Sequence, residues 1–287
     1  MRRSLLFIPG NNPSMLRNAD IFLADGIILD LEDAVSVSEK DAARDLVKSF
    51  LLSIKNYSSE IIIRINGFDT PFYLNDLEAV VSDKIDTIML PKATIESTKA
   101  LINELSKIEK KKNLKKKIAI IPIIELAISL IQVDEIAALD RVNGILLGAE
   151  DLTSDLEVKR TKEGTEIFYA RSRVVVSCKA YQIDAIDTPF TDVNNDAGLL
   201  RDASFSKSLG MNAKSAIHPN QINIINEVYS PSEDEINWAK KVLLATEEAK
   251  KKNLGVFSLD GKMVDKPIIS RAEKIIKKAI KFKLIEE

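Results

Sequence analysis

At 287 residues, 45% hydrophobic and 29% charged, the chain has an ordinary globular composition. It is long enough to bury a sizeable core, as two average domains or as one α/β barrel with a tail. With 41 Lys and Arg against 43 Asp and Glu its net charge is −2, with one Cys and one His, which excludes nucleic-acid binding through a global positive field, a disulfide framework, a thiolate-held zinc or iron–sulfur centre and a His-rich metal site.

The start, Met1-Arg2-Arg3-Ser4 followed by the apolar Leu5–Ile8, stops at Pro9-Gly10, short of the ~7–15 apolar residues of a secretory signal. No run approaches the ~18 apolar residues of a membrane span. The expectation is a cytoplasmic protein with no membrane or nucleic-acid partner. Short β-branched runs then alternate with longer amphipathic stretches. The runs are Ser4–Ile8, Gly26–Leu31, Glu60–Ile65, Thr87–Leu90, Lys117–Ile124, Gly144–Leu147, Asp184–Ile186 and Ala213–Ile217. They are nearly continuous in hydrophobicity, as parallel strands buried on both faces are. Between them, Ser38–Leu52 opens with a Ser38/Asp41 capping pattern, and Thr94–Lys112, Thr165–Ala180 and Asp196–Leu209 have helical character. Strands alternating with helices in this number predict a (β/α)8 TIM barrel over residues 1–230. A doubly wound open sheet is the alternative.

Residues 231–287 exceed what a barrel needs and predict a C-terminal helical extension. Ser232 and Glu235 form a capping box for a helix over Glu233–Asn253, with Gly255 as its C-terminal cap. A turn at Leu259-Asp260-Gly261-Lys262 precedes a last basic helix from about Ile269. The extension either packs on its own barrel or reaches a neighbouring subunit.

Active sites of such barrels lie at the C-terminal ends of the strands. There the sequence places Asp30, Glu32 and Asp33 after strand 2, Arg64 and Asn66 at strand 3, Lys92 after strand 4 and Glu125 after strand 5. Gly148-Ala149-Glu150-Asp151 follow strand 6, Asp187 lies at strand 7 and His218 follows strand 8. Carboxylates without His or Cys suit a hard cation, and Mg2+ takes one or two of them while keeping positions for waters and substrate oxygens. Glu125 and Asp151, on adjacent strands, could share one ion. Each carboxylate alone could instead cap a helix or pair with a cation. Arg64 interrupts a run of isoleucines, which is costly unless it is paired. Either it binds a structural carboxylate or it is held for an anionic substrate. Cys178 reads as core packing, His218 as a loop residue, and Lys110–Lys117 as a solvated helix end. Neither a Gly-x-Gly-x-x-Gly nor a Walker pattern is present.

The motifs RRSLLFIPGNNPSML, LDLEDAVSVSEKDAAR, IIIRING, LPKA, IIELA, LLGAEDLTSDL, GTEIFYARSRV, AIDTPFTDVNNDAGL and GVFSLDGKMVDKPIISRA run nearly end to end. In this combination the chain resembles the citrate lyase β chains of the HpcH/HpaI aldolase superfamily. The resemblance implies a (β/α)8 barrel and a Mg2+-dependent carbon–carbon lyase that cleaves a citryl thioester, on acyl carrier protein or CoA, to oxaloacetate and an acetyl thioester. It implies Glu125 and Asp151 as metal ligands, Arg64 on the substrate carboxylate, and Asp265 as a proton-transfer residue delivered into a neighbour's site. Asp30, Glu32, Asp33 and Lys92 would order metal-bound waters or neighbouring side chains. It further implies a homo-oligomer, typically a trimer, with citrate lyase α and γ subunits as possible partners. One stretch departs: Ile217-His218-Pro219-Asn220-Gln221-Ile222 is the form familiar from citramalyl-CoA and malyl-CoA lyases, so a standalone CoA-ester lyase remains an alternative. A non-catalytic organising subunit is a second alternative, against which the intact set Arg64, Glu125, Asp151 and Asp265 speaks.

Overall fold

The computed structural model describes residues 1–55, 57–251 and 256–286. Its parallel strands follow one another around a closed barrel in chain order. They are β1 (Ser4–Pro9), β2 (Gly26–Asp30), β3 (Glu60–Arg64), β4 (Thr87–Leu90), β5 (Ala119–Ile124), β6 (Gly144–Leu147), β7 (Asp184–Asp187) and β8 (Ala213–Ala216). Pairing of β1 with both β2 and β8 closes the ring. Leu5, Ile28, Ile62, Met89, Ile121, Ile123, Leu146, Ile186 and Ala213 fill the interior as one cluster. The closed ring rules out the doubly wound alternative.

The helices of the barrel layer are α1 (Pro13–Asn18), α2 (Lys40–Ser53), α3 (Tyr73–Val80), α4 (Ile95–Lys111), α5 (Ala127–Ile131), α6 (Val133–Ala137), α7 (Ala149–Asp155), α8 (Phe168–Ala180) and α9 (Asp196–Leu209). α10 (Gln221–Tyr229), α11 (Glu233–Lys251) and α12 (Lys266–Lys281) follow. Local chemistry sets most starts. Thr94 and Ser97 form a reciprocal capping box on α4, and the Asn195 side chain accepts from the Gly198 N–H to begin α9. The expected Ser38/Asp41 cap does not form. The chain enters α2 through a 3-10 turn over Val37–Glu39, and Asp41 accepts from Arg44 at 2.6 Å instead. The run Lys110–Lys117 is largely exposed, as expected of a solvated helix end, and several of its lysines also find partners. Lys112 Nζ donates to the carbonyls of Glu78 and Val81, and Lys111 and Lys116 pair with Glu78 and Asp86.

The chain divides into two compact units, Arg2–Asn226 and, with Met1, Glu227 onward. In the second unit Ala239, Val242, Val264 and Ala272 form their own buried cluster. The Ser232/Glu235 capping box is present, with donor–acceptor distances of 3.0 and 3.1 Å. Asn253 and Gly255, expected to end this helix, lie outside the described residues. The unit is not helical throughout. β9 (Phe257–Leu259) and β10 (Lys262–Val264) pair antiparallel around Asp260-Gly261. Both turn residues have positive φ, +50° and +76°, the conformation a two-residue hairpin loop requires. The last helix begins earlier than expected, at Lys266, because the Asp265 side chain accepts from the Ile268 N–H and Pro267 occupies its first turn.

Between barrel and helices, β7, β8, α8 and α9 enclose a charge cluster. Arg171 donates to both oxygens of Asp187 and to Asp202, and Lys214 Nζ donates to Asp187, Asp202 and the Thr188 carbonyl, all between 2.6 and 2.9 Å. Arg171, Lys214 and Asp187 are fully buried. The Asp187 carboxyl, although burial opposes its charge, is held below its ordinary range by Lys214 and Arg171. Asp187 therefore turns away from the rim at which the sequence placed it. Removing one member strands a buried charge, so Arg171→Ala should cost roughly 3–5 kcal/mol. Urea unfolding checks this, and a loss under about 1 kcal/mol, the scale of an exposed pair, would contradict it.

Candidate active site at the C-terminal rim

Arg64 and Asp30 end neighbouring strands and are register partners, so their side chains leave the barrel on the same face. Arg64 Nε and Nη2 donate to the two Asp30 oxygens at 2.7 and 2.6 Å, a two-pronged pair. The guanidinium lies 4.9 Å from the Phe7 ring centre. Its remaining nitrogen, Nη1, is 3.0 Å from Glu32 Oε2 and 3.4 Å from Asp33 Oδ2. Burial alone would lower the Arg64 pKa, but Asp30, Glu32 and Asp33 overcome it and raise it. One of the two sequence alternatives for Arg64, the structural carboxylate, is thus occupied by Asp30. Nη1 is the part of the fork that Asp30 leaves over.

The loop after β2 is strapped in place. Lys40 Nζ donates to the carbonyls of Leu31 and Glu32 at 2.8 and 2.6 Å, and Asn66 Nδ2 donates to Leu31 O at 2.9 Å. Asp76 accepts from both Asn66 donors and from Arg44. Lys40, Arg44 and Asp76 were not legible as site residues, because each lies on a helix face whose direction only the fold supplies. Glu32 is buried beside other carboxylates. Burial first, opposed by Arg64 and assisted by Asp33, Glu125 and Asp30, pushes it up to about 8.

Glu125 follows β5 and is also buried. Its Oε1 accepts the Lys92 N–H at 2.5 Å. Lys92 supplies its backbone in the left-handed region, φ +46°, while its side chain is exposed. Burial is the main cause that raises Glu125 to about 7, with the Lys92 N–H opposing and the Asp151 charge assisting. Asp151 stands in the first turn of α7. Gly148, which precedes that helix, has no room for a side chain. A Cβ there would lie 2.6 Å from Glu125 Oε2 and 2.9 Å from Ile123.

These groups border a pocket of about 420 Å3 lined by Asp30, Asp33, Arg64, Glu125, Asp151 and Thr188, with Phe7, Pro9 and Leu146 on its apolar side. Asp265 belongs to the C-terminal unit, where it caps α12. His218 is exposed and its Nδ1 accepts from the Asn220 N–H, and Cys178 is buried with its thiol pushed up to about 12 by burial. Among the described residues no three His, Cys, Asp or Glu converge as an all-protein metal cage. Mg2+ does not need one. The donor set fits it, because Asp151 raises Glu125 across a gap where a cation would relieve both.

A (β/α)8 barrel whose C-terminal rim presents an excess of carboxylates and one anchored guanidinium defines a class of enzyme that handles anionic substrates with a hard cation. The comparison with known proteins narrows the class. Residues 3–219 match the family model described as HpcH/HpaI aldolase/citrate lyase, and the chain belongs to that family of carbon–carbon lyases. It is 44% identical to the citrate lyase subunit beta of Leuconostoc mesenteroides subsp. cremoris, over 97% of this chain and 93% of that one. It is 34% identical to the L-malyl-CoA/beta-methylmalyl-CoA lyase of Rhodobacter capsulatus, over 97% and 95%. Among solved structures it is similar to the protein CitE of Mycobacterium tuberculosis in complex with magnesium, acetoacetate and coenzyme A, with a TM-score of 0.78 and 29% identity over 97% of this chain and 98% of that one.

The raised Glu32 has a measurable consequence. The folded protein retains a proton there that the unfolded chain releases in the ordinary carboxylate range. The resulting stability is complete below that range and lost as pH rises through about 8. In EDTA, Tm should fall between about pH 6 and about pH 9, and Glu32→Gln should flatten that fall. Parallel curves for the two proteins would refute it.

Proposed function

We propose that this chain is a Mg2+-dependent lyase that cleaves a citryl thioester to oxaloacetate and an acetyl thioester. The observation that carries the reading is the meeting of two rim carboxylates at one pocket, the buried Glu125 and the exposed Asp151, with an arginine already oriented by Asp30, in a chain 44% identical to a citrate lyase β subunit.

Glu125 and Asp151 would hold the ion. When bound, Mg2+ supplies Lewis acidity to the substrate hydroxyl and a neighbouring carboxylate. Arg64 takes a second substrate carboxylate. Because Asp30 locks the guanidinium from one side, Nη1 is already oriented, and alignment of the scissile bond costs little further ordering. Glu32 and Asp33, beside Nη1, order the waters and side chains around that carboxylate. Lys92 holds Glu125 through its backbone N–H. Asp265, contributed by the tail of a neighbouring subunit in a homotrimer, takes the proton of the substrate hydroxyl. The carbon–carbon bond next to that hydroxyl then breaks, its electron pair moves onto the acetyl thioester as an enolate, and oxaloacetate leaves. The same proton returns to the enolate carbon, so the reaction is balanced without another reactant. The thioester is carried by acyl carrier protein or CoA. Citrate lyase α and γ chains would be the partners in the first case.

A second reading, a standalone lyase for malyl-CoA or citramalyl-CoA, is favoured by Ile217–Ile222 and by the Rhodobacter capsulatus relative. Purified chain should release oxaloacetate from citryl-CoA, and EDTA should abolish it. Glyoxylate from malyl-CoA or pyruvate from citramalyl-CoA, with no oxaloacetate, would move the chain to the second reading. Glu125→Ala and Asp151→Ala should each lower kcat/KM by at least about a thousandfold, and retained activity would remove them as ligands. Arg64→Ala and Asp265→Ala chains, each inactive alone, should recover activity when mixed as trimers. Failure to complement would place Asp265 and Arg64 in one chain's site.

A further inference from the structure

Gly148 creates a vacancy that another residue fills. A helix normally receives a side-chain acceptor from its N-cap residue, because its first backbone N–H groups have no partner within the helix. α7 has Gly148 in that position and no cap from it. Glycine is required there because a Cβ would collide with Glu125. The space that admits Glu125 thus costs the helix bearing Asp151 its own cap. The missing acceptor comes from the residue that follows the next strand. The Ala149 N–H donates to Thr188 Oγ1 at 3.3 Å, and Thr188 is buried at the pocket wall. Thr188 is itself held from behind. Lys214 Nζ donates to its carbonyl at 2.7 Å and is fixed by Asp187 and Asp202 at 2.6 Å each.

We infer that Thr188 is a positioning residue for the metal pair: it caps α7 from just past the end of β7 and so sets where Asp151 stands relative to Glu125, with the Lys214 cluster as its support. The inference rests on the proposed role of Glu125 and Asp151 as ligands. It explains why a fully buried lysine lies in this barrel wall. The cluster is electrically balanced by Asp187 and Asp202, so it adds no net charge to the site. It meets the pocket wall at Thr188, whose carbonyl accepts from Lys214 and whose hydroxyl accepts from Ala149.

The test is Mg2+ binding by titration calorimetry on the full chain without substrate, alongside kcat and thermal unfolding. Thr188→Val keeps the shape and removes the acceptor. It should weaken Mg2+ binding about tenfold, the scale seen when partners of metal ligands are lost. It should raise the Mg2+ concentration needed for half-maximal activity by a similar factor and leave kcat at saturating Mg2+ within about twofold. Thr188→Ser, which keeps the hydroxyl, should restore binding to within about twofold of wild type. Asp151→Asn separates the two levels of the argument. If it leaves Mg2+ affinity unchanged, the ligand assignment itself is wrong. If it abolishes binding while Thr188→Val binds as wild type does, only the positioning role is overturned. A loss in Thr188→Ser as large as or larger than that in Thr188→Val would also overturn it, because Ser keeps the hydroxyl and lacks only the methyl group, so the hydroxyl would not be what sets the affinity.

Discussion

Arg64 leaves its strand among isoleucines, where a lone guanidinium would be unaffordable, and Asp30 meets both prongs of it from the neighbouring strand. Much of the rim follows from that pair. It ties the ends of β2 and β3 together and fixes Nη1 on the side of Glu32 and Asp33. It also makes the following loop worth strapping. Asp30 accepts from the N–H groups of Glu32 and Ala34, and Lys40 and Asn66 hold the carbonyls of the same loop. An arginine anchored in this way can present its remaining nitrogen to an anion with little further loss of freedom.

The molecule treats charge in two opposite ways. In the Arg171, Asp187, Asp202 and Lys214 cluster, two cations meet two anions and neutralise one another within the wall. That cluster is support. At the rim, carboxylates outnumber the one guanidinium, and two of them, Glu32 and Glu125, are pushed up toward neutrality. An arrangement that holds like charges together at a cost to its own stability is typical of a site built for a missing partner of opposite sign. The two regions touch through Thr188, whose carbonyl belongs to the balanced cluster and whose hydroxyl belongs to the pocket wall.

The barrel was legible because each strand is a short run buried on both faces, so hydrophobicity alone marks it, and most strand ends fall within two residues of expectation. Arg64 was legible because a charge inside such a run needs a reason. The same signal stood at Lys214 in β8 and went unread, because the alanines and serine around it look less apolar than isoleucines. Strands β9 and β10 were missed because three residues on each side of an Asp-Gly turn carry too little pattern. The Ser38/Asp41 cap failed because a 3-10 turn precedes α2 and puts Glu39, not Ser38, at the N-cap position.

Sequence by itself determined the closed α/β architecture, the residue types that reach the rim, and the family, since these depend on periodicity and on motifs read along the chain. Tertiary structure alone decided which carboxylates face the pocket. Asp187 and Asp30 both end apolar strands, yet one is buried in a neutralised cluster and the other holds Arg64 at the pocket wall. It also decided that Gly148 makes room for Glu125 and that Thr188 caps the helix Gly148 leaves bare. Those relations join residues dozens of positions apart, and a side chain's direction around a closed barrel is set by strand register and tilt, which no local pattern encodes.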